Sequence, residues 1–265
     1  NYHLKISFDS DRKLSIFVNG VQYNITSTSG STGGSGTAKA YSARYNTTAG
    51  FSMITFIGNG TAGHTIPHHL GVVPDFIIVK ARTQTADVGW IIYHSHNTSA
   101  PETDYYNMSN AEASQDSTVM WNDTAPTSSV FTIGVNDNVN DDTYSYIAYC
   151  YKSIDGYSAF GSYTGNGDTD GSFVYTGFRP GLVITKQVTG GNSWWMNDTS
   201  RFPNNPSYNG LKINESTSES SHGTKNFDIL SNGFKSRQVS GYFGDASDYI
   251  FMAWAETPFK YANAR

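Results

Sequence analysis

The stretch Pro74-Asp75-Phe76-Ile77-Ile78-Val79-Lys80 returns 106 residues later as Pro180-Gly181-Leu182-Val183-Ile184-Thr185-Lys186. Each copy is a short apolar run, rich in β-branched residues, that begins at a proline and ends at a lysine, which is typical of a buried strand. A second match lies upstream, where Gly58-Asn59-Gly60 returns as Gly165-Asn166-Gly167, 107 residues later. Matches that keep their order along the chain indicate an internal repeat.

The repeat predicts two homologous units of domain size, residues 50–155 and 156–265. Each unit ends in a long apolar strand, and Tyr146 of the first returns as Tyr249 of the second, 103 residues later. The offset shrinks along the chain, as expected if the second copy has shorter loops. Both strands are apolar on both faces, so we expect each to lie centrally and to be covered on two sides.

Six short runs in each unit alternate with turns rich in Gly, Asn, Asp and Pro, which is typical of antiparallel sandwiches. The predicted strands of the first unit are Phe51–Ile57, Phe76–Lys80, Trp90–His94, Thr118–Trp121, Val130–Ile133 and Tyr144–Tyr151. Those of the second unit are Tyr157–Tyr163, Phe173–Tyr175, Leu182–Lys186, Ser193–Asn197, Phe227–Leu230 and Tyr249–Ala255. Only Asn110–Ser114 suggests a helical turn. The predicted fold is all-β, with two tandem antiparallel β-sandwich repeats.

The composition supports this fold class and excludes several others. Strong helix formers are scarce, with 6 Leu and 5 Glu among 265 residues, whereas Tyr, Phe and Trp number 18, 15 and 5. A helical bundle, a coiled coil and a doubly wound α/β enzyme are therefore not expected. The net charge of −5 and the lack of a basic run argue against nucleic-acid binding. No stretch approaches the ~20 apolar residues of a membrane-spanning helix, so membrane insertion is not expected.

The N-terminal part differs from the repeats. Residues 1–25 predict a β-hairpin, because the alternating runs Leu4–Phe8 and Leu14–Val18 flank a polar turn and Asn19-Gly20 follows. We interpret this hairpin as the end of an upstream β module and expect the chain to be the back part of a longer protein. Residues 26–49 are dominated by Ser, Thr and Gly, so we predict a flexible linker there.

Several further motifs follow one another in a fixed order. They are Gly50-Phe51-Ser52, His68–Pro74, Trp121–Phe131, Gly156-Tyr157-Ser158, Phe160–Gly167, Gly177–Pro180, Ser231–Lys235 and Ala255–Asn263. This series resembles the duplicated C-terminal region of virion appendage proteins from marine tailed bacteriophages, the cyanophages and pelagiphages, which are described as tail fibre or structural proteins. The resemblance covers residues 50–265. Residues 4–21 resemble the last hairpin of a lectin-like or laminin-G-like module.

The resemblance implies a place on the virion, at the tail or the capsid surface, with other virion proteins as partners. It supplies no catalytic residues. We also expect a homo-oligomer, with a trimer favoured as in many fibres, because oligomerisation would bury the edges of the sandwiches. We therefore expect a structural and adhesive role, binding a host-surface glycan or protein, and no enzymatic activity. The alternatives are a capsid-decorating or tail-assembly protein without a host ligand and, in another class, a glycan depolymerase.

Metal and catalytic chemistry have weak signals in the sequence. His64, His68 and His69, with His94 and His96, have a spacing that allows metal binding, but the second copy has no matching histidines, so we expect hydrogen bonding instead. The acidic segments at 136–142 and 168–171 offer oxygen donors for Ca²⁺, yet they lack the full calcium-loop spacing and favour turns. The single cysteine, Cys150, excludes an intrachain disulfide. No cofactor or metal is expected.

Aromatic residues near polar loops supply the candidate ligand-binding site. Tyr105, Tyr106, Trp121 and Trp194 lie beside Asn-, Asp- and Ser-rich segments. A flat aromatic face stacks on the C–H face of a sugar while neighbouring amides and carboxylates bond its hydroxyl groups. We predict that these four residues contact a glycan or a protein. Paired carboxylates of a glycosidase are defined in space, so the sequence leaves that alternative open.

Overall fold

The computed structural model describes residues 4–8, 14–18, 21–83, 88–207, 209–221, 227–239 and 241–257. Within these ranges the chain is all-β, as predicted, with antiparallel sheets and only single-turn helices. The first strands are β1 (Leu4–Phe8), β2 (Leu14–Val18), β3 (Val21–Asn24), β4 (Thr26–Ser31), β5 (Gly33–Gly34), β6 (Ala40–Asn46), β7 (Phe51–Ile57), β8 (His64–Pro67), β9 (Phe76–Ala81), β10 (Ile91–His94), β11 (Asp104–Asn107) and β12 (Gln115–Asp116).

The later strands are β13 (Val130–Ile133), β14 (Ser145–Tyr151), β15 (Ser158–Thr164), β16 (Phe173–Tyr175), β17 (Pro180–Gln187), β18 (Trp195–Asp198), β19 (Asn209–Lys212), β20 (Ser220–Ser221), β21 (Phe227–Leu230), β22 (Gly233–Ser236) and β23 (Asp248–Ala255). Two short helices are α1 (Thr118–Trp121) and α2 (Asp137–Asn140), and Pro101–Thr103 forms a 3-10 turn. None of the helices in the described ranges has the length and apolar character that a membrane crossing needs.

The chain forms two compact units. The first contains residues 1–88 and 118–151, and the second contains residues 89–117 and 152–265. In the first unit the strand order of the large sheet is β9-β14-β7-β6-β4, and a smaller sheet has the order β13-β8-β5. β1, β2 and β3 form a separate antiparallel sheet, so the predicted hairpin of β1 and β2 is confirmed.

The second unit repeats this plan. Its large sheet has the order β15-β23-β17-β18-β19-β20, and its small sheet has the order β16-β22-β21. Apolar side chains from both sheets meet in one core, where Val183, Trp195 and Phe251 of the large sheet pack with Phe227 and Phe234 of the small sheet. Two sheets that bury their facing sides against each other make a sandwich.

The strand pairing repeats in register. Phe51 of β7 lies opposite Tyr151 of β14. The equivalent pair of the second copy is Ser158 of β15 and Trp254 of β23. Ser158 lies 107 residues after Phe51, and Trp254 lies 103 residues after Tyr151. These are the offsets found between Gly58 and Gly165 and between Tyr146 and Tyr249 in the sequence. β14 and β23 are central, as predicted, because each pairs with strands on both sides. The two copies therefore share strand order and register.

Residues 26–49 do not form the linker that their composition predicts. Thr26–Ser31 pairs with Ala40–Asn46 along its whole length, and Ala40–Asn46 also pairs with β7. The hairpin thus extends the large sheet of the first unit. Backbone N–H and C=O groups form the same ladder whatever the side chains are, so a Ser-, Thr- and Gly-rich segment can be a strand when a neighbouring edge receives it.

Two further predictions differ from the structure. Thr118–Trp121, predicted as a strand, is the single-turn helix α1, which buries Met120 and Trp121. Asn110–Ser114 contains no helical turn. The compact units also differ from the sequence repeats, because residues 89–117, from the first repeat, belong to the second unit. Pairwise hydrogen bonds explain this placement: Ser114 N donates to Val188 O at 2.8 Å, and the His94 Nε2 atom lies 3.2 Å from Phe251 O.

Candidate functional site

Three of the four predicted ligand-binding aromatics fill the core. Tyr106 and Trp194 are fully buried, and Trp121, which belongs to the first unit, is 2% exposed. The Tyr106 and Trp194 rings meet edge to face at 5.4 Å, and the Tyr106 hydroxyl donates to Asn97 Oδ1 at 2.6 Å. Burial raises the pKa of Tyr106 far above its usual range. None of these three rings has a face open to a ligand, so the structure corrects their predicted placement at the surface.

Tyr105 points the other way. Neighbouring residues on a strand face opposite sides, so Tyr105 is half-exposed where Tyr106 is buried. Its hydroxyl donates to Gln115 Oε1 at 2.5 Å, and burial together with the nearby Glu112 raises the pKa of its phenol. Tyr105 is a single ring with no other predicted site residue beside it on its face, so it offers little for stacking.

The histidines form hydrogen bonds, as expected. His64 and His68 are fully buried, and the His68 Nε2 atom lies 3.1 Å from Thr127 O. His69 has a positive φ of 60° and stacks between Tyr41 and Tyr45 at centroid distances of 5.6 and 5.2 Å. Within the described ranges no group of three or more His, Cys, Asp or Glu side chains is placed to hold a metal ion.

Lys186 is a buried lysine in the core of the second unit. Its ammonium donates to the carbonyl oxygens of Ala111, Gln187 and Gly190 at 3.3, 3.2 and 2.9 Å and lies 5.9 Å from the centre of the Tyr106 ring. Burial lowers the pKa of Lys186 to about 8. A lysine of this kind is a candidate nucleophile, but its three protons are all donated to backbone oxygens. We therefore interpret Lys186 as an anchor for the segment that carries Ala111.

A different surface carries exposed aromatic side chains. The small sheet of the second unit turns Val174 and Phe234, together with Phe227, into the core. Phe173 and Tyr175 alternate with Val174 along β16 and therefore point outward, where they are 47% and 68% exposed. The sequence named Phe173–Tyr175 as a strand but not as a site. The sequence signal for this site is the alternation Phe173-Val174-Tyr175, which places two aromatic rings on the same side of a short strand.

Glycines lie close to both rings. Gly233 is the cross-strand partner of Tyr175, and a Cβ atom at Gly233 would lie 3.0 Å from Phe173 Cε2. A Cβ atom at Gly177, whose φ is 82°, would lie 3.6 Å from the Tyr175 hydroxyl oxygen and 3.8 Å from the ring atoms Cε1 and Cζ. A side chain at either glycine would therefore crowd the neighbouring ring.

Charged side chains border the two rings. Lys235 lies opposite Phe173, and its ammonium donates to Asp170 Oδ1 at 2.6 Å. Arg237 donates to the same oxygen at 3.1 Å and, through Nε, to Asp228 Oδ2 at 2.6 Å. The hydrogen bond from Lys235 lowers the pKa of Asp170, and that to Asp228 raises the pKa of Arg237. We call the surface formed by Phe173, Tyr175, Asp170, Lys235 and Arg237, together with the buried Asp228 that pairs with Arg237, the aromatic face.

The loop that carries Asp170 is a hydrogen-bonded turn. Asp168 Oδ1 accepts from Asp170 N at 2.8 Å, and Asn166 Oδ1 accepts from Asp168 N at 3.1 Å. The other acidic segment contains α2, whose N-terminus is capped by the Asn136 side chain. Both segments therefore use their oxygens for backbone turns, as Asp and Asn commonly do.

The aromatic face combines flat apolar rings with fixed polar groups, an arrangement suited to binding.

Comparison with known proteins gives one match. No curated protein and no solved structure matches the chain. A family model described as a domain of unknown function, DUF7483, matches residues 18–258, which is most of the chain and includes both compact units almost entirely. The chain belongs to the DUF7483 family.

Proposed function

We propose that the chain is an adhesive module of a bacteriophage virion appendage, which binds a host-surface glycan or protein through the aromatic face and catalyses no reaction. The observation that carries this proposal is the exposure of Phe173 and Tyr175, 47% and 68%, side by side on one short strand. Solvent-exposed aromatic rings lose apolar contact with water when they bind, so they are disproportionately used in recognition.

The virion setting is supported by the resemblance of residues 50–265 to phage appendage proteins. In that setting the chain assembles with other virion proteins as a homo-oligomer, for which we propose a trimer. Several copies on one particle raise the apparent affinity by ~10²–10⁴ without new contacts. A modest site such as one aromatic face is then sufficient for attachment.

Adsorption measurements test this proposal on a phage that encodes the chain. We expect the purified chain to compete with the phage for host cells, and Tyr175→Ala to compete at least tenfold less well. Gold-labelled antibodies should mark the tail. Lack of competition at a saturating concentration, together with labelling of the capsid lattice, would support a decoration protein and contradict adhesion. Release of reducing sugar from host polysaccharide by the purified chain would contradict a non-catalytic role.

A further inference from the structure

We infer that the ligand of the aromatic face is an uncharged saccharide chain, bound by stacking on Phe173 and Tyr175. This inference rests on the proposed function and specifies its ligand. It follows from three properties of the face: the way the rings lie, the pairing of its charges, and its size.

The rings present flat surfaces. Phe173 and Tyr175 are 47% and 68% exposed, and the neighbouring Gly233 and Gly177 carry no side chain that would crowd the rings. In the described part of the chain neither ring stacks on another ring, and the Tyr175 hydroxyl has no protein hydrogen-bond partner. Two open rings and a free hydroxyl match the alternation of apolar C–H faces and polar edges on a sugar.

The charges on the face are already neutralised. Asp170 and Asp228 balance Lys235 and Arg237, and each carboxylate accepts a hydrogen bond from at least one of the two cations. An acidic polysaccharide would have to displace Asp170 from two cations, and a basic ligand would have to displace both cations from Asp170. A ligand without charge keeps these pairs intact and can still bond to the exposed oxygens of Asp170, whose side chain is 78% exposed.

The face by itself is much smaller than a stable protein interface. Three strands spaced about 4.8 Å apart and about four residues long cover roughly 150–200 Å². A specific protein interface buries about 800 Å² on each partner. A few sugar rings fit the smaller area, and their stacking on two aromatics gives the modest affinity that multiple copies would amplify.

Affinity gel electrophoresis of the full chain tests the ligand class. The probes are dextran, mannan and laminarin as uncharged polysaccharides, and alginate and hyaluronate as acidic ones. We expect at least one uncharged polysaccharide to retard the chain, with little change between about 0.05 M and about 0.5 M NaCl, because screening acts on charges. Tyr175→Ala and Phe173→Ala should each weaken retardation at least tenfold, whereas Val72→Ala should not. Val72 is 45% exposed, similar to Phe173, and belongs to the first unit.

Thermal melts of the variants control for folding, and exposed positions of this kind normally change stability by less than about 0.5 kcal/mol. Retardation by alginate or hyaluronate alone, by none of the probes, or equally in all variants would overturn the inference. If the inference of an uncharged saccharide is overturned while the chain still blocks phage adsorption, the proposed adhesive function is retained with a different ligand. If the saccharide binds to the aromatic face but phage adsorption is unaffected, the proposed adhesive function is contradicted and the saccharide site is retained.

Discussion

The imidazole of His64 has both nitrogens engaged in the core of the first unit. Its Nε2 atom lies 2.6 Å from Thr32 Oγ1, and its Nδ1 atom lies 3.1 Å from Asn140 Oδ1. The Asn140 amide group donates to Thr61 O and Gly134 O, which fixes its oxygen toward His64 as an acceptor. The proton is therefore on Nδ1, and Nε2 accepts from the Thr32 hydroxyl. Burial of the ring disfavours its charged, doubly protonated form.

The first prediction concerns acid. Burial lowers the pKa of His64 in the folded state below its usual 6.5, and His68 is lowered for the same reason. The unfolded state then binds more protons between the folded pKa and 6.5. Stability is complete above pH 6.5 and falls as the pH drops toward the folded pKa, by about 1 kcal/mol per pH unit for each histidine. Urea unfolding of the first unit at pH 7.5, 6 and 5 measures this slope.

Variants identify the histidine responsible. His64→Gln should reduce the acid slope and also cost about 1–3 kcal/mol at pH 7.5, because Thr32 and Asn140 lose a partner. His96→Gln is the control, since His96 is exposed and contacts only its neighbours Ser95 and His94. An acid slope in His64→Gln as steep as in the natural chain would show that this network does not sense pH.

At the scale of elements, the repeated Gly-Asn-Gly turn has a structural cause. Gly58 N donates to Tyr144 O and Gly165 N donates to Ser247 O, at 3.1 and 2.9 Å, so each turn begins beside the strand that closes its unit. A Cβ atom at Gly165 would lie 1.9 Å from Asp245 O, closer than any side chain can approach. A Cβ atom at Gly58 would likewise lie 2.1 Å from Asp141 O. Both copies therefore have glycine at this position, because a neighbouring backbone carbonyl leaves no space for a side chain.

The second prediction follows from this close approach. Gly165→Ala should destabilise the second unit by about 3 kcal/mol or more, because the backbone carbonyl cannot move away without breaking the turn. Gly71→Ala is the matched control: its φ is 75°, but nothing lies within 4 Å of the added Cβ atom. It should cost only the left-handed backbone strain, about 1 kcal/mol. Equal effects in chemical denaturation would contradict the contact.

The hairpin formed by Thr26–Ser31 and Ala40–Asn46 gives the third prediction. Ala43 is 2% exposed at the middle of β6, whereas its neighbour Ser42 is exposed on the other side of the strand. Ala43→Glu should destabilise the first unit by about 3–5 kcal/mol through a buried, unpaired charge, and Ser42→Glu should have little effect. Thermal unfolding compares them. If the segment were a tether, both substitutions would be harmless.

Particular elements show how far the sequence alone leads. Phe173–Tyr175 and Phe227–Leu230 were predicted with the bounds that the structure gives, because alternation and turn residues determine a strand locally. The hairpin at 26–46 was missed since its pairing depends on a neighbouring edge, which composition does not reveal. The burial of Tyr106, Trp121 and Trp194 was missed for a similar reason. Proximity to polar loops does not show whether Tyr106 or Trp194 lies on the buried side of a strand. In β16, by contrast, Val174 points into the core, so its neighbours Phe173 and Tyr175 must point outward.

At the scale of the whole molecule, the compact units and the sequence repeats have different bounds. Residues 89–117 come from the first repeat, yet they complete the second unit. The Tyr106 ring packs against Trp194 and beneath the Lys186 ammonium, and Ser114 pairs with Val188. These contacts bury side chains in the second unit that its own repeat leaves uncovered. The second compact unit therefore uses side chains of both sequence repeats.

The fourth prediction tests whether the second unit needs residues 89–117. A polypeptide of residues 156–265 should lack a cooperative unfolding transition, because Trp194 and Lys186 would lose the Tyr106 ring and the carbonyl of Ala111 and become exposed. Adding a peptide of residues 89–117 should restore near-ultraviolet circular dichroism and a cooperative urea transition, in proportion to its concentration. The same peptide with Tyr106→Ala should fail to do so, since it lacks the ring that covers Trp194. A cooperative transition of residues 156–265 alone, at the midpoint of the intact chain, would mean that the sequence repeat folds independently and that the segment is merely attached to it.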